Sequence, residues 1–327
     1  MKKKKKKPIV LIYILILIIL YIMIYVFPKV TGVLQPTYNI TYGEMKLSDT
    51  TDGYVVRNEK LYLTSRGGDT NYYIEEGDLL RTGSTVMEVE GSTDSEISSR
   101  FEGIIERVGD AAVTTGSYSV EDGGVVYYFA DGYEGQLTPK NMRKKDKSFY
   151  DQLRQKDVVS LNREKVNAGE PVFKIVDRTK WYMVCYIPKE HRSRYKVGDR
   201  INVEFDDVSL RTTVCSRKNE GEFCKIVLTT DHFYGRFGEM RVINDVHLVT
   251  YEERGLLVEN KSIVEEKGQK GVYVQDKVGN VSFVPIKVIK SDGEKSLVYD
   301  TRFYDETGKE HLTVEIYDVV LKNPKES

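Results

Sequence analysis

The sequence predicts a mainly β protein: several small β modules in series behind one N-terminal membrane helix. Three observations carry that prediction. Short segments rich in Val, Ile, Tyr, Phe and Thr recur between clusters of Gly, Asp, Asn and Lys, as in Gly53–Arg57, Val125–Phe129, Trp181–Ile187 and Gly271–Gln275, the pattern of strands separated by turns. Long amphipathic helices are absent, and only Asp94–Val108 and Lys140–Leu153 suit helices of a few turns, the second polar enough for a solvated connector. An unbroken apolar run from Pro8 to Phe27 follows six consecutive lysines, Lys2, Lys3, Lys4, Lys5, Lys6 and Lys7.

As a helix rising about 1.5 Å per residue, the run reaches roughly 30 Å, the thickness of a bilayer's hydrocarbon core. It lacks the small-residue cleavage pattern of a signal peptide, because Phe27–Gly32 offers no A-x-A. It also lacks the polar face of a helix lying on a soluble core. The reading is a retained anchor. Short basic flanks stay in the cytoplasm, so residues 1–7 form a cytoplasmic tail, 8–28 cross the membrane, and everything beyond Pro28 is extracytoplasmic. The lysines are also placed to meet anionic lipid head groups, each contributing about 1 kcal/mol.

Net charge over the chain is −1, but the six leading lysines account for part of the positive side; beyond them 43 basic face 50 acidic side chains, a balance of −7. An anionic ectodomain is ill suited to nucleic acid, whose binding needs a basic surface. Its length allows two or three modules of ordinary size. Cys185, Cys215 and Cys224 are odd in number with no CxxC, and His191, His232, His247 and His311 are scattered singly, which is not metal-ligand spacing. No metal or cofactor is expected. Cys215 and Cys224 flank a turn-like stretch, Ser216–Phe223, so a hairpin centred there would bring them to opposite strands as a candidate disulfide.

The first module repeats a pattern. Glu75–Gly83, followed by Ser84–Val89, sets Gly77 in one turn, a leucine pair behind it, Gly83 in the next turn and then an alternating strand; Val166–Gly169 followed by Glu170–Val176 does the same around Gly169. Glycine permits positive φ at such reversals. Two half-motifs imply a flattened barrel made of two similar halves.

With those segments in view the chain resembles the HlyD-type membrane-fusion proteins, or periplasmic adaptors, in a divergent form from single-membrane bacteria. The resemblance rests on the anchor, on Asp52–Glu59 with Glu76–Gly83 as a first lipoyl-like half, and on Ala130–Glu134 with Leu137–Pro139 opening the second. It continues through Ala168–Asp177, Trp181–Val184, Lys196–Val203, Gly255–Asn260, Gly271–Val274 and Phe283–Val288. It implies a linker with a possible membrane-proximal strand over 29–49 and a lipoyl-like domain over 50–179, with halves at about 50–90 and 124–179 and a short insert at 91–123. A β-barrel domain over 180–252 and a membrane-proximal β domain over 253–327 complete it. Gly53 and Gly132 join Gly77, Gly83 and Gly169 as its turn glycines. Many members carry a long helical hairpin in the insert; here at most Ser95–Val108 is helical, roughly 20 Å long and interrupted by Gly103. No antiparallel coiled coil fits, so an outer-membrane channel is not an expected partner.

No enzyme is expected. A lipoyl or biotinyl carrier needs a lysine at the tip joining its halves, and Glu90–Glu96 has none; G-x-S-x-G and H-E-x-x-H are also absent. The carboxylates lie in turns and on alternating strand faces, which reads as solvated surface, and the 23 tyrosines read as strand residues. The implied role is an adaptor that binds an inner-membrane transporter of ABC or RND type, further copies of itself and the lipid bilayer. The alternative is an envelope scaffold in cell-surface assembly or division.

Overall fold

The computed structural model describes residues 9–21, 36–91, 96–153, 158–232 and 234–324. The lysines at positions 2–7, most of the flanks of the apolar run, and Asp94 and Ser95 lie outside them. Ile9–Tyr21 is an apolar helix with exposed side chains from Tyr13 to Tyr21. Among the described residues no helix is long and apolar enough to cross a membrane. The rest is mainly β and divides into two compact units, residues 48–250 and residues 1–47 with 251–327.

In the larger unit, two sheets face each other as a sandwich. One has the order Leu79–Leu80, Gly124–Tyr127, Pro171–Val176, Glu59–Thr64, Ala112–Thr115, and the other Lys165–Val166, Gly68–Tyr72, Met87–Glu90. Their shared core holds Leu61, Tyr62, Val86, Met87, Val126 and Phe173, with Tyr62 stacked on Phe173 at 4.5 Å between ring centroids. Pro171–Val176 is buried at every position, as its nearly continuous apolar sequence requires of a central strand. The two glycine-led half-motifs occupy equivalent places. Gly77 and Gly169 have φ of 92° and 83°, and their N–H groups donate to Val126 and Thr64 at 2.9 and 2.7 Å.

The insert supplies one helix, Ser99–Val108, which turns Phe101, Ile104 and Val108 into the sandwich core. Those positions follow helical spacing and make one apolar face. Gly135 lets the helix end approach, since a Cβ there would stand 1.8 Å from the Val108 carbonyl oxygen.

A six-stranded barrel follows. Its neighbours in order are Arg200–Phe205, Val208–Glu220, Phe223–Thr230, Trp181–Pro188, the end of Thr41–Val56 and the start of Val242–Glu259; Asn202, Val203 and Glu204 pair with Val249, Leu248 and His247 to close it. Arg200–Phe205 alternates between exposed or half-exposed and buried positions, the period of a strand with one face inside. Trp181–Pro188 is buried on both faces for a reason the sequence concealed. Lys140–Leu153 is not a solvated connector: only Lys147–Asp151 is helical, and Met142, Tyr150 and Leu153 cover the outer face of the barrel at Tyr54, Val184, Tyr186 and Val227. Lys225, itself buried, donates to the carbonyls of Met142 and Lys145. At the barrel's other flank, buried Asp49 accepts from Tyr195 at 2.6 Å and Arg194 at 3.1 Å, with His191 at 2.5 Å.

The smaller unit joins the two ends of the chain. Thr37–Asn39 pairs with Val319–Leu321, which pairs with Gln269–Gln275; Val264–Glu266 and Val281–Pro285 flank that strand. Leu256–Glu259 pairs with Lys295–Val298, and Ile40, Leu256, Val258, Val272, Val298 and Val320 form the core.

Gly103, by contrast with Gly135, has open space around its Cβ position inside the helix. Gly135→Ala should therefore lower stability by about 2 kcal/mol or more, and Gly103→Ala should raise it by roughly 0.5–1 kcal/mol. Urea unfolding of the two variants checks both signs.

Candidate functional site: the junction of sandwich and barrel

Six ionisable side chains meet where the sandwich passes into the barrel, and none is more than 7% exposed. Arg57 and Glu59 come from the bend between Thr41–Val56 and Glu59–Thr64, Asp131 and Glu134 from the turn after Phe129–Ala130, Lys174 from the middle of Pro171–Val176, and Arg241 from the residue before Val242–Glu259. Glu59 is the hub. One of its oxygens accepts from Arg57 at 2.5 Å and lies 3.5 Å from Lys174 Nζ, and the other accepts from Arg241 at 2.5 Å. Arg241 also holds Asp131 through two bonds of 2.6 and 3.0 Å, while Arg57 donates to the carbonyls of Phe237 and Met240 at 2.5 and 2.7 Å. Lys174 stands 3.5 Å from Glu134 and 4.0 Å from the Phe129 ring centroid, the second contact a cation–π one.

The chemistry of this cluster is mutual charge compensation. Burial by itself would push the Glu59 carboxyl up, but Arg241, Arg57 and Lys174 outweigh it and hold it at about 2. Asp131 goes the same way: burial raises it, and Arg241 and Lys174 bring it well below the usual carboxylate range. Glu134 is pushed up, first by burial and then by Asp131 beside it. Removing one partner of such a set leaves a buried charge uncompensated, which costs far more than the set adds over an apolar core.

Close backbone packing accompanies the charges. Tyr127 of the sandwich donates its hydroxyl to the Gly235 carbonyl at 3.2 Å, and a Cβ on Gly238 would fall 1.8 Å from that hydroxyl oxygen. An open cleft of about 580 Å3 runs along the junction, lined by Lys60, Arg107, Asp110, Lys140, Asp177 and Lys180 among others. It contains no nucleophile–base pair, and among the described residues no group of three or more His, Cys, Asp or Glu side chains is placed to hold a metal ion.

Of the residues singled out from sequence, Gly77, Gly83, Gly132 and Gly169 occupy turns with φ between 75° and 92°. The Arg107 guanidinium fills the space beside Gly132. Gly53 does not: it lies inside Thr41–Val56, where a Cβ would meet Met183 Sδ at 2.8 Å, so its role is close packing and not a turn. Cys215 and Cys224 form no disulfide. The hairpin turns at Gly221 and sets Cys224 opposite Asn219, while Cys215 sits at a register shift, and all three cysteines are free thiols. Glu59, Asp131 and Glu134 overturn the reading of the carboxylates as solvated surface. The available signal was Lys174, a lone charge inside the apolar run Pro171–Val176.

A sandwich and a barrel packed through a buried charged junction make up the larger unit. Residues 59–177 match the family model described as RND related, barrel-sandwich hybrid domain, and residues 181–251 that described as RND related, beta-barrel domain. The two together span more than half of the chain, which belongs to the membrane-fusion proteins, the HlyD-like adaptors, in their RND-related form. Proteins of this family are non-enzymatic structural adaptors, and so is this one. Among solved structures the chain is similar to MacA from Actinobacillus actinomycetemcomitans at 10% identity, covering 88% of this chain and 99% of that one with a TM-score of 0.38. It is also similar to ZneB from Cupriavidus metallidurans at 10% identity, 88% and 92% coverage and a TM-score of 0.30, and to the membrane fusion protein Spr0693 from Streptococcus pneumoniae R6 at 11% identity, 61% and 98% coverage and a TM-score of 0.29. No curated protein sequence matches the chain.

Arg241→Met should cost about 3–5 kcal/mol in urea unfolding, because Glu59 and Asp131 lose their shared cation. Stability should also depend on acid. Glu59 titrates at about 2 in the fold against an ordinary 4.5, so its contribution is complete above the ordinary value and is lost as pH falls towards 2. The urea midpoint should drop between about pH 5 and pH 3, and Glu59→Gln, already less stable, should show a flatter profile there.

Proposed function

We propose that this chain is the extracytoplasmic adaptor subunit of an efflux or export system, held at the cell membrane by its N-terminal apolar segment and acting by binding an inner-membrane transporter. The observation that carries the proposal is the paired sandwich and barrel with a fully buried charged junction, which supplies rigid binding surfaces and no reactive centre. The apolar helix Ile9–Tyr21 behind the lysine run supports single-pass anchoring with the lysines in the cytoplasm and the β units outside. On this reading the smaller unit is the membrane-proximal module, since 15 residues separate Tyr21 from its strand Thr37–Asn39. The transporter is of ABC or RND class, and copies of the adaptor assemble around it.

A second reading, an envelope scaffold in cell-surface assembly or division, is favoured by one feature. The helix of the insert spends its apolar face on its own sandwich core, and among the described residues of the insert there is no projecting hairpin. Crosslinking the intact protein in its native membrane and identifying the captured partner separates the two. The expected result is a transporter and a deletion phenotype in resistance or secretion; altered cell shape or septation with transport intact would overturn the adaptor assignment.

A further inference from the structure

A cleft of about 510 Å3 opens on the outer face of the barrel, lined by Lys180, Arg200, Arg211, Thr213, Thr229 and His232 among others. The ladder explains its make-up. Arg200 pairs with Thr213, Thr213 with Thr229, and Thr229 with Tyr182. Strand side chains alternate, so Arg211, two residues before Thr213, and Lys180, two before Tyr182, share that outward side. The intervening Ile201, Thr212, Val214 and Leu228 are buried.

Arg200 and Arg211 are therefore diagonal neighbours on adjacent strands, a spacing of about 7–8 Å at which like charges repel. Neither they nor Lys180 make an ion pair among the described residues; Lys180 stands over the Tyr182 ring at 5.7 Å. The one carboxylate lining the cleft is Asp231, whose side chain is 94% exposed and stands 3.8 Å from His232. Uncompensated cations gathered in a concavity of an ectodomain carrying −7 are complementary to an anion.

We propose that this face binds an acidic peptide segment of a partner protein. The cleft is several times larger than one carboxylate or phosphate, and it continues through Thr179 and Lys180 into the junction cleft that carries Lys60, Arg107 and Lys140. Cations strung along an open path fit an extended chain bearing several carboxylates, which guanidinium groups hold through paired hydrogen bonds. The proposal deepens the adaptor reading by giving the chemistry of the partner's contact, and it rests on that reading for the partner being a protein.

Full-length protein in detergent at low salt, titrated against a fluorescein-labelled octaglutamate peptide, tests it by anisotropy. Saturable binding is expected, weakened at least about tenfold by Arg200→Glu with Arg211→Glu, weakened by added salt, and unchanged by Lys277→Glu in the other unit. All the substituted side chains are exposed, so unchanged urea midpoints confirm that the variants fold. Absence of binding, equal binding by the double variant, or displacement by inorganic polyphosphate at lower concentrations than by octaglutamate overturns the proposal. So does loss of self-association in the double variant without loss of peptide affinity, which would make a second copy the occupant. The readout is independent of the membrane crosslinking, so failure here leaves the adaptor assignment standing or falling on its own result.

Discussion

The Glu59 carboxylate, shared among Arg57, Arg241 and Lys174, is the constraint on which the architecture of the larger unit depends. Two β folds joined only by short connections, here Val56 to Glu59 and Val176 to Trp181, would ordinarily shift against each other, because interfaces within a chain are modest in area and polar. Here the connections lie beside a buried set of three cations and three carboxyl groups drawn from four places in the sequence. Each charge is tolerable away from water only while its partners stay put, so a change of angle between sandwich and barrel would separate buried charges. Hydrophobic packing alone tolerates sliding more readily. The charges hold the angle more than they add net stability.

A binding role follows from the same economy of form. Groups with strongly displaced equilibria include those of the charged junction, tyrosines and a thiol raised by burial, as in Tyr150 and Cys185, Lys60 raised by its bonds to Asp122 and Glu121, and Asp305 lowered by bonds from Thr307 and His311. Displaced titration can mark a reactive centre or a structural lattice, and the mutual pairing at Glu59 and Asp131 identifies the second.

Much of the β framework was legible in the chain. Gly77, Gly83 and Gly169 stood where the backbone needs positive φ, and segments such as Gly124–Tyr127 and Trp181–Pro188 declared themselves by composition. What stayed hidden was long-range. Lys140–Leu153 looked polar because Met142, Phe149, Tyr150 and Leu153 are few among its charged residues, yet they cover the barrel. The junction draws on residues 57 to 241, and each of its charges, taken alone, resembles surface. The candidate pairing of Cys215 with Cys224 needs a hairpin centred between Asn219 and Glu220, whereas the turn falls at Gly221 and Glu222, so Cys224 faces Asn219 and Cys215 lies four residues further along its strand. Gly53 was assigned by its neighbours to a turn, although only the three-dimensional approach of Met183 shows why no side chain fits.

The pairing of Thr37–Asn39 with Val319–Leu321 bears on biogenesis. Ribosomal synthesis delivers these partners at opposite ends of a long interval, so Thr37–Asn39 remains an open edge until Val319–Leu321 has been made. Non-local closure of this kind is slow and leaves nascent edges exposed to wrong partners. A nascent molecule interrupted late would keep its sandwich and barrel yet lack the strand that seals the other unit, and proteases would meet that unsealed edge first.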